Sequence, residues 1–119
     1  MHGFLDELLQ AFLTLDIGQG PLDFLVDTGF AGTLLVGEEL FDPTQVKWVG
    51  KSEAELATGQ THLFDLYEIE FLWLGHPSRM TAFVGPGKEC LLGTVLLNPH
   101  QLEINYRHKT IRLIIDSEW

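Results

Sequence analysis

The tripeptide Asp27-Thr28-Gly29 is the part of this sequence whose residue types and position best suit chemistry. It directly follows Phe24-Leu25-Val26, an apolar segment with the composition of a buried strand. A carboxylate at the end of a buried strand is costly to ionise unless other groups stabilise its charge. Gly29 lets the backbone turn sharply and present N–H groups to that carboxylate. A simple turn with a solvated aspartate is the alternative, and the tripeptide alone does not exclude it.

The elements around the tripeptide are short apolar segments separated by Gly and Pro, a pattern typical of an all-β domain. The sequence predicts strands over 11–17, 22–26, 33–36, 46–49, 63–74, 79–84, 102–106 and 111–115, and one short helix over 94–97. Residues 1–10 are ambiguous, because their apolar residues have helical spacing while a neighbouring strand could also recruit them. There is no internal repeat and no linker, so residues 1–119 are predicted to form a single domain.

A second element, Leu91-Leu92-Gly93, follows later in the chain and directly precedes the predicted helix. A strand ending in Asp-Thr-Gly, together with an apolar-apolar-Gly element before a helix, resembles the retropepsin-like aspartic proteases. The resemblance is to the small single-domain cellular and prokaryotic members, and it covers the chain from about Ala11 to Ile115. It implies an all-β fold, a retropepsin-like closed β-barrel or sandwich with one short helix.

The resemblance also implies a role for each matching residue. Asp27 takes the catalytic position, and Thr28 matches the threonine whose hydroxyl supports the catalytic pair from the partner subunit. Gly29 matches a turn residue whose backbone contacts substrate. Leu92 and Gly93 match the second, structural motif, which packs behind the catalytic loop in that family.

Two further segments are expected to contact substrate. Residues 57–61 fall where the family has its flap, a hairpin that closes over substrate, and the contacts there are expected from Thr58, Gly59 and Gln60. An ordinary hairpin turn explains Thr58-Gly59 equally well. The other two residues are Phe30 and Ala31, which stand where retroviral proteases have a small residue and then an acidic one. Phe30 is therefore expected to narrow or reshape the cleft.

A single Asp-Thr-Gly supplies only half of the implied site. In aspartic proteases two carboxyls about 3 Å apart share one proton, so that one acts as general base on water while the other polarises the scissile carbonyl. The resemblance thus implies a twofold homodimer that cleaves peptides or proteins without metal or cofactor. A retropepsin-fold module that dimerises or binds peptide without turnover is the alternative. Phe30, Ala31 and a predicted C-terminal hairpin over 101–115 keep it open, since retroviral relatives end sooner and form their dimer sheet from interleaved termini.

Composition narrows the expected partners. The net charge is −10, and the seven Lys and Arg residues are scattered, so neither nucleic acid nor an anionic membrane is an expected partner. Cys90 is the only cysteine and is expected to be a small buried residue. With no signal peptide and no long apolar run, the sequence predicts a cytoplasmic protein. The five histidines lack metal-binding spacing, so no metal site is expected.

Overall fold

The computed structural model describes residues 1–55, 59–98 and 100–115. In this part of the chain the strands are β1 His2–Leu5, β2 Ala11–Asp16, β3 Pro21–Val26, β4 Leu34–Gly37, β5 Lys47–Glu55, β6 Thr61–Trp73, β7 His76–Gly85, β8 Leu91–Leu92, β9 Gln101–Asn105 and β10 Thr110–Ile114. One helical turn, α1, spans Thr94–Leu97, and two 3-10 turns span Glu38–Leu40 and Pro43–Gln45. No helix among these residues is long and apolar enough to cross a membrane.

All ten strands belong to one sheet, in the order β5-β6-β7-β4-β8-β3-β2-β1-β10-β9. The prediction of an all-β fold with one short helix is confirmed. The prediction that the sheet closes into a barrel is wrong, because within the described residues β5 and β9 are free edges and do not pair with each other. Closure requires the first and last strands to pair, and here each end of the sheet is instead completed by a hairpin, β5–β6 at one end and β9–β10 at the other.

One face of the sheet carries the core. In β2, Leu13 and Leu15 are buried while Thr14 and Asp16 are exposed, which is the two-residue period of a half-buried strand. The largest fully buried side chains are Phe24, Leu13, Ile17, Leu34, Ile69, Leu92, Ile111, Leu113 and Val36. The central strands β3, β4 and β8 each contribute to this set. Their core packing fixes the position of the loops that begin where these strands end.

The ambiguous N-terminal segment forms a strand rather than a helix. β1 lies between β2 and β10 in the sheet, and Phe4 stacks on its cross-strand partner Phe12 with ring centroids 5.4 Å apart. The Asp6 carboxylate then accepts hydrogen bonds from the backbone N–H groups of Leu8 and Gln10, which turns the chain into β2. Sheet pairing with β2 and β10 outweighs the helical spacing of the apolar residues. Such pairing is a tertiary interaction, which local periodicity does not reveal.

The hairpin of β5 and β6 is longer than the sequence predicts. β6 is the longest strand, as expected, but β5 extends to Glu55 rather than ending at Val49. Its second half, Lys51–Glu55, is too polar to be recognised as a strand, yet it pairs with β6 as far as Glu55 opposite Thr61. Backbone hydrogen bonding to β6 therefore makes Lys51–Glu55 a strand although its residues are mostly polar.

Candidate active site

The Asp27 loop, residues 27–33, begins where β3 ends. The Asp27 N–H donates to the Leu92 carbonyl oxygen at 3.0 Å, so the residue is still held by β8. Its carboxylate Oδ1 accepts the Gly29 N–H at 2.9 Å, and its carbonyl accepts the Phe30 N–H at 3.1 Å. The predicted presentation of a backbone N–H to the carboxylate is thus present, and Asp27 is half-buried while Thr28 and Gly29 are exposed.

The direction of the Asp27 side chain follows from strand alternation. Phe24 is fully buried in the core, so Leu25 and Asp27 lie on the opposite face of the sheet. On that face Leu25 pairs with Leu91, Leu91 with Leu35, and Leu35 with Phe83 across neighbouring strands. The Asp27 carboxylate therefore projects from the sheet face that carries this apolar row.

The second motif lies directly behind the Asp27 loop. β8 is inserted between β3 and β4, parallel to the first and antiparallel to the second. The Gly93 N–H then donates to the Thr33 carbonyl at 2.8 Å, and the Thr94 N–H donates to the Phe30 carbonyl at 2.9 Å. A side chain at Gly93 has no room, since a Cβ there would lie 2.2 Å from the Gly32 carbonyl oxygen. The structure thus brings Asp27, Gly29, Phe30, Leu92 and Gly93 together in one unit.

This unit, at the centre of a one-sheet all-β chain, invites comparison with known proteins. No family model and no curated protein matches the sequence. Among solved structures, the chain is similar to a retropepsin-like aspartic protease from Rickettsia conorii, with a TM-score of 0.65 and 18% identity over 95% of this chain and 88% of that one. The chain has a retropepsin-like fold.

A second similar solved structure is the foamy viral protease-reverse transcriptase in complex with an RNA/DNA hybrid. Its TM-score is 0.57 and its identity 18%, over 86% of this chain and 13% of that much longer one. At this level of identity the likeness concerns the fold alone.

The Phe30 side chain packs against Phe83 of β7 and against Gly32 of its own loop. Its ring lies 5.8 Å from that of Phe83, which in turn lies 6.0 Å from that of Phe64. The same ring closes the space beside Gly32, where a Cβ would come within 2.6 Å of the Phe30 Cζ. We call Phe30, Phe83 and Phe64 the aromatic row. It joins the Asp27 loop to the β5–β6 hairpin, whereas the neighbouring Ala31 is exposed.

Sequence reasoning missed Phe83 and Phe64 as neighbours of the site. Phe64 lies on the Asp27 side of β6 and is buried, while Ile69 and Phe71, five and seven residues later, are buried on the other face. In the sequence, the apolar residues of β6 change from even positions near Phe64 to odd positions at Ile69 and Phe71, and this change is the signal that could have identified Phe64. It indicates that the hairpin end of β6 covers a different surface from its base.

The predicted flap coincides with the end of the β5–β6 hairpin. Thr58 and Ala57 lie outside the described residues, whereas Gly59 and Gln60 are described and exposed. Gly59 has a φ of 82°, a left-handed conformation that glycine adopts without strain. The described link between this hairpin and the Asp27 loop is the aromatic row; a contact of Gly59 or Gln60 with substrate stays a prediction.

Other chemically capable groups lie away from the Asp27 loop. Two open concavities of about 430 and 450 Å³ share Glu70 and Arg79 on β6 and β7, and Asp27 lines neither. In the described part of the chain, no group of three or more His, Cys, Asp or Glu is arranged to hold a metal ion. Cys90 is buried, as predicted, and desolvation raises the pKa of its thiol, which disfavours the nucleophilic thiolate.

Proposed function

We propose that this chain is an aspartic endopeptidase that works as a homodimer, with the Asp27 of each copy forming one half of the catalytic pair. The observation that carries the proposal is the Asp27 carboxylate. It is held by the Gly29 N–H at the end of a core strand, on an exposed loop, in a chain with the retropepsin-like fold. Asp16 accepts the Gly18 N–H in the same way; Asp27 differs in that its own N–H bonds to the Leu92 carbonyl of β8, the strand of the second motif.

A second copy is required by the chemistry of the carboxyl pair. Two carboxyls about 3 Å apart do not both ionise, so the pair holds one proton. The ionised Asp27 takes a proton from water while the water oxygen attacks the scissile carbonyl carbon, and the protonated Asp27 donates its proton to the carbonyl oxygen. The resulting gem-diol intermediate collapses when one hydroxyl returns its proton to the second Asp27 and the C–N bond breaks, the leaving nitrogen taking the proton that the first Asp27 removed from water. No metal or cofactor takes part in these steps.

The surface around Asp27 favours an extended peptide with apolar side chains beside the scissile bond. Leu25, Leu91 and Phe83 are half-buried on the face from which Asp27 projects, and apolar side chains of a peptide would bury against them. The net charge of −10 per chain favours neutral or basic substrates over acidic ones.

The direct test is incubation of the purified chain with a mixed peptide library from acidic to neutral pH, with and without pepstatin. Cleavage that pepstatin blocks, and whose specific rate rises with protein concentration, supports the proposal. Peptide binding without cleavage at any pH supports instead the non-catalytic module. The β9–β10 hairpin that follows α1, where retroviral relatives are expected to end sooner, is the observation that keeps this second candidate open.

Replacing Phe30 should change substrate preference more than stability. In Phe30→Leu the smaller side chain leaves space beside Gly32 and Phe83, so peptides with a bulky apolar residue should gain in kcat/KM relative to those with a small one. Because Phe30 is only half-buried, the substitution should lower the free energy of unfolding by about 1 kcal/mol, the typical cost of a single substitution. The relative kcat/KM values are measured on a series of peptides that differ at one residue. Phe4→Leu, a variant away from the site, is the matched control. Equal selectivity in both variants would show that Phe30 does not line the cleft.

The end of the β5–β6 hairpin should behave as a lid. Gly59 and Gln60 are exposed, and a lid must open with few buried contacts to break. Their amides should therefore exchange with solvent at least about 100-fold faster than those of Phe24 and Leu25 in β3, and they should slow when pepstatin is bound. Hydrogen exchange measured by NMR reports each amide separately. Exchange at Gly59 as slow as at Phe24 would contradict a lid.

A further inference from the structure

β7 lies between the Asp27 loop and the β5–β6 hairpin. It pairs in parallel with β4, which follows that loop, and in antiparallel with β6 of the hairpin. Its contribution to the core comes from Ala82 and Val84, which are buried. Phe83, between them in sequence, lies on the opposite face, the one from which Asp27 projects. Core packing therefore does not account for an aromatic residue at this position.

Phe83 packs closely on the loop that carries the carboxylate. Its ring centroid lies 5.8 Å from that of Phe30, and a Cβ at Gly32 would come within 2.9 Å of its Cε2. The Gly32 backbone thus lies directly against the ring. Two residues earlier on β7, the Thr81 carbonyl accepts the Thr33 hydroxyl at 2.5 Å. The position of β7 therefore determines where the loop lies.

Phe64 supports Phe83 from the hairpin side. The two ring centroids are 6.0 Å apart, and the ring of His62, nearer the hairpin end, lies 6.3 Å from that of Phe64. Phe64 is only 2% exposed, so it is not part of the surface offered to a peptide. Its ring has little space towards β7, because a Cβ on Gly85 would lie 2.6 Å from its Cε1. A shift of the hairpin therefore moves the Phe64 ring against Phe83.

The burial pattern of β5 shows which face of the hairpin turns towards Asp27. Ser52 and Ala54 are half-buried, whereas the charged residues on either side of them are exposed. Ser52 pairs with Phe64 across the hairpin, and paired residues lie on the same face of a sheet. A peptide held beside Asp27 would therefore lie under the face that carries Phe64.

We propose that Phe64 is a positioning residue, which acts through Phe83 and Phe30 and couples closure of the hairpin to the position of Asp27. The inference rests on the proposed function, because it concerns the same carboxylate and the same lid. Closure over a peptide holds Phe64 in place. The aromatic row then holds the Phe30 backbone, whose N–H donates to the Asp27 carbonyl at 3.1 Å. Close-packed rings transmit such a displacement because packed protein interiors are hardly compressible.

Phe64→Leu tests this role, with Phe71→Leu as the matched control. Phe71 is a buried phenylalanine on the same strand, but it faces the core. Both variants should lower the melting temperature by a few degrees, since each removes part of a buried side chain. Only Phe64→Leu should lower kcat of the folded protein, on the order of 10-fold, because a misplaced catalytic group slows the reaction of bound peptide. Its KM should be unchanged, because Phe64 does not contact the peptide.

Hydrogen exchange measures the same coupling without any activity. The Phe30 amide should exchange on the order of 10-fold faster in Phe64→Leu than in wild type, because the loop opens locally more often. In Phe71→Leu this rate should equal that of wild type, since packing on the core face does not hold the loop. Phe64→Met is the second variant, in which a flexible side chain fills the space without a rigid ring. It should show the same change in exchange with a smaller loss of stability.

Two results would each overturn the inference. One is a kcat in both Phe64 variants equal to that of Phe71→Leu, and the other is Phe30 exchange in both Phe64 variants as slow as in wild type. A wild-type protein that cleaves no peptide refutes the proposed function instead. Faster Phe30 exchange in the Phe64 variants then still upholds the coupling between hairpin and loop, whereas unchanged exchange refutes that as well.

Discussion

Asp27→Asn should abolish peptide hydrolysis while leaving the fold intact. In a homodimer the substitution replaces both carboxyls, so neither a general base nor a shared proton remains, and turnover should fall by about 10⁴-fold or more. Asparagine keeps the shape of aspartate, and its side-chain oxygen can still accept the Gly29 N–H that Asp27 accepts at 2.9 Å. Since two carboxyls held together cost stability, the melting temperature of the dimer should be unchanged or slightly raised.

The matched control for this variant is Asp23→Asn. Asp23 lies on the same strand and on the same face, but it is exposed and accepts a hydrogen bond from the Thr14 hydroxyl at 2.7 Å. Turnover in this control should stay within about twofold of wild type, as for a surface substitution away from the site.

Peptide cleavage and thermal melting of wild type, Asp27→Asn and Asp23→Asn test the role of Asp27. If Asp27→Asn cleaves as well as wild type, Asp27 is only a turn residue and the protease proposal fails. If no form cleaves any peptide while all dimerise and bind peptide, the non-catalytic module takes its place.

The parts of the fold predicted from the sequence are those in which local pattern and tertiary structure agree. β3 running into the Asp27 loop and the helical turn Thr94–Leu97 directly after the Leu91-Leu92-Gly93 element were expected and are present. The apolar run of β3 ends at Asp27 and Gly29, and the helical turn lies between Gly93 and Asn98, so turn-forming residues in the sequence mark these boundaries. These same segments carry the candidate site.

The parts that the sequence did not predict depend on which strands become neighbours. The polar half of β5 exists because β6 pairs with it, and β1 is a strand because β2 and β10 flank it. The open edge at β9 follows likewise from the strand order, which no local pattern encodes. The aromatic row joins β7, β6 and the Asp27 loop. These contacts depend on the register between β6 and β7, which the sequence alone does not specify.

Gly93→Val should lower stability and activity together, although Gly93 takes no part in chemistry. Its φ is −98°, which any residue can adopt, so the requirement for glycine comes from space alone. A Cβ would lie 2.2 Å from the Gly32 carbonyl oxygen and 2.7 Å from that of Phe30. Both are backbone atoms held by hydrogen bonds, and they have little freedom to move.

Relief of these contacts would require β8 and the Asp27 loop to separate, which would break the hydrogen bonds from the Gly93 N–H to Thr33 and from the Asp27 N–H to Leu92. The free energy of unfolding should therefore fall by about 3 kcal/mol or more, the upper range for overpacking. In the molecules that remain folded Asp27 is displaced, and a shift of about 1 Å can cost on the order of 10²-fold in rate.

Gly18→Ala is the contrasting control for Gly93→Val. Gly18 has a φ of 93° and no atom within 4 Å of a Cβ. The substitution should cost about 1 kcal/mol through backbone strain and leave turnover per folded molecule unchanged. Denaturant unfolding and peptide cleavage on both variants measure the difference. Normal stability and normal turnover in Gly93→Val would show that the match of Leu92 and Gly93 to the second motif is coincidental. A loss of turnover only in proportion to the folded fraction would show that Gly93 maintains the fold without positioning Asp27.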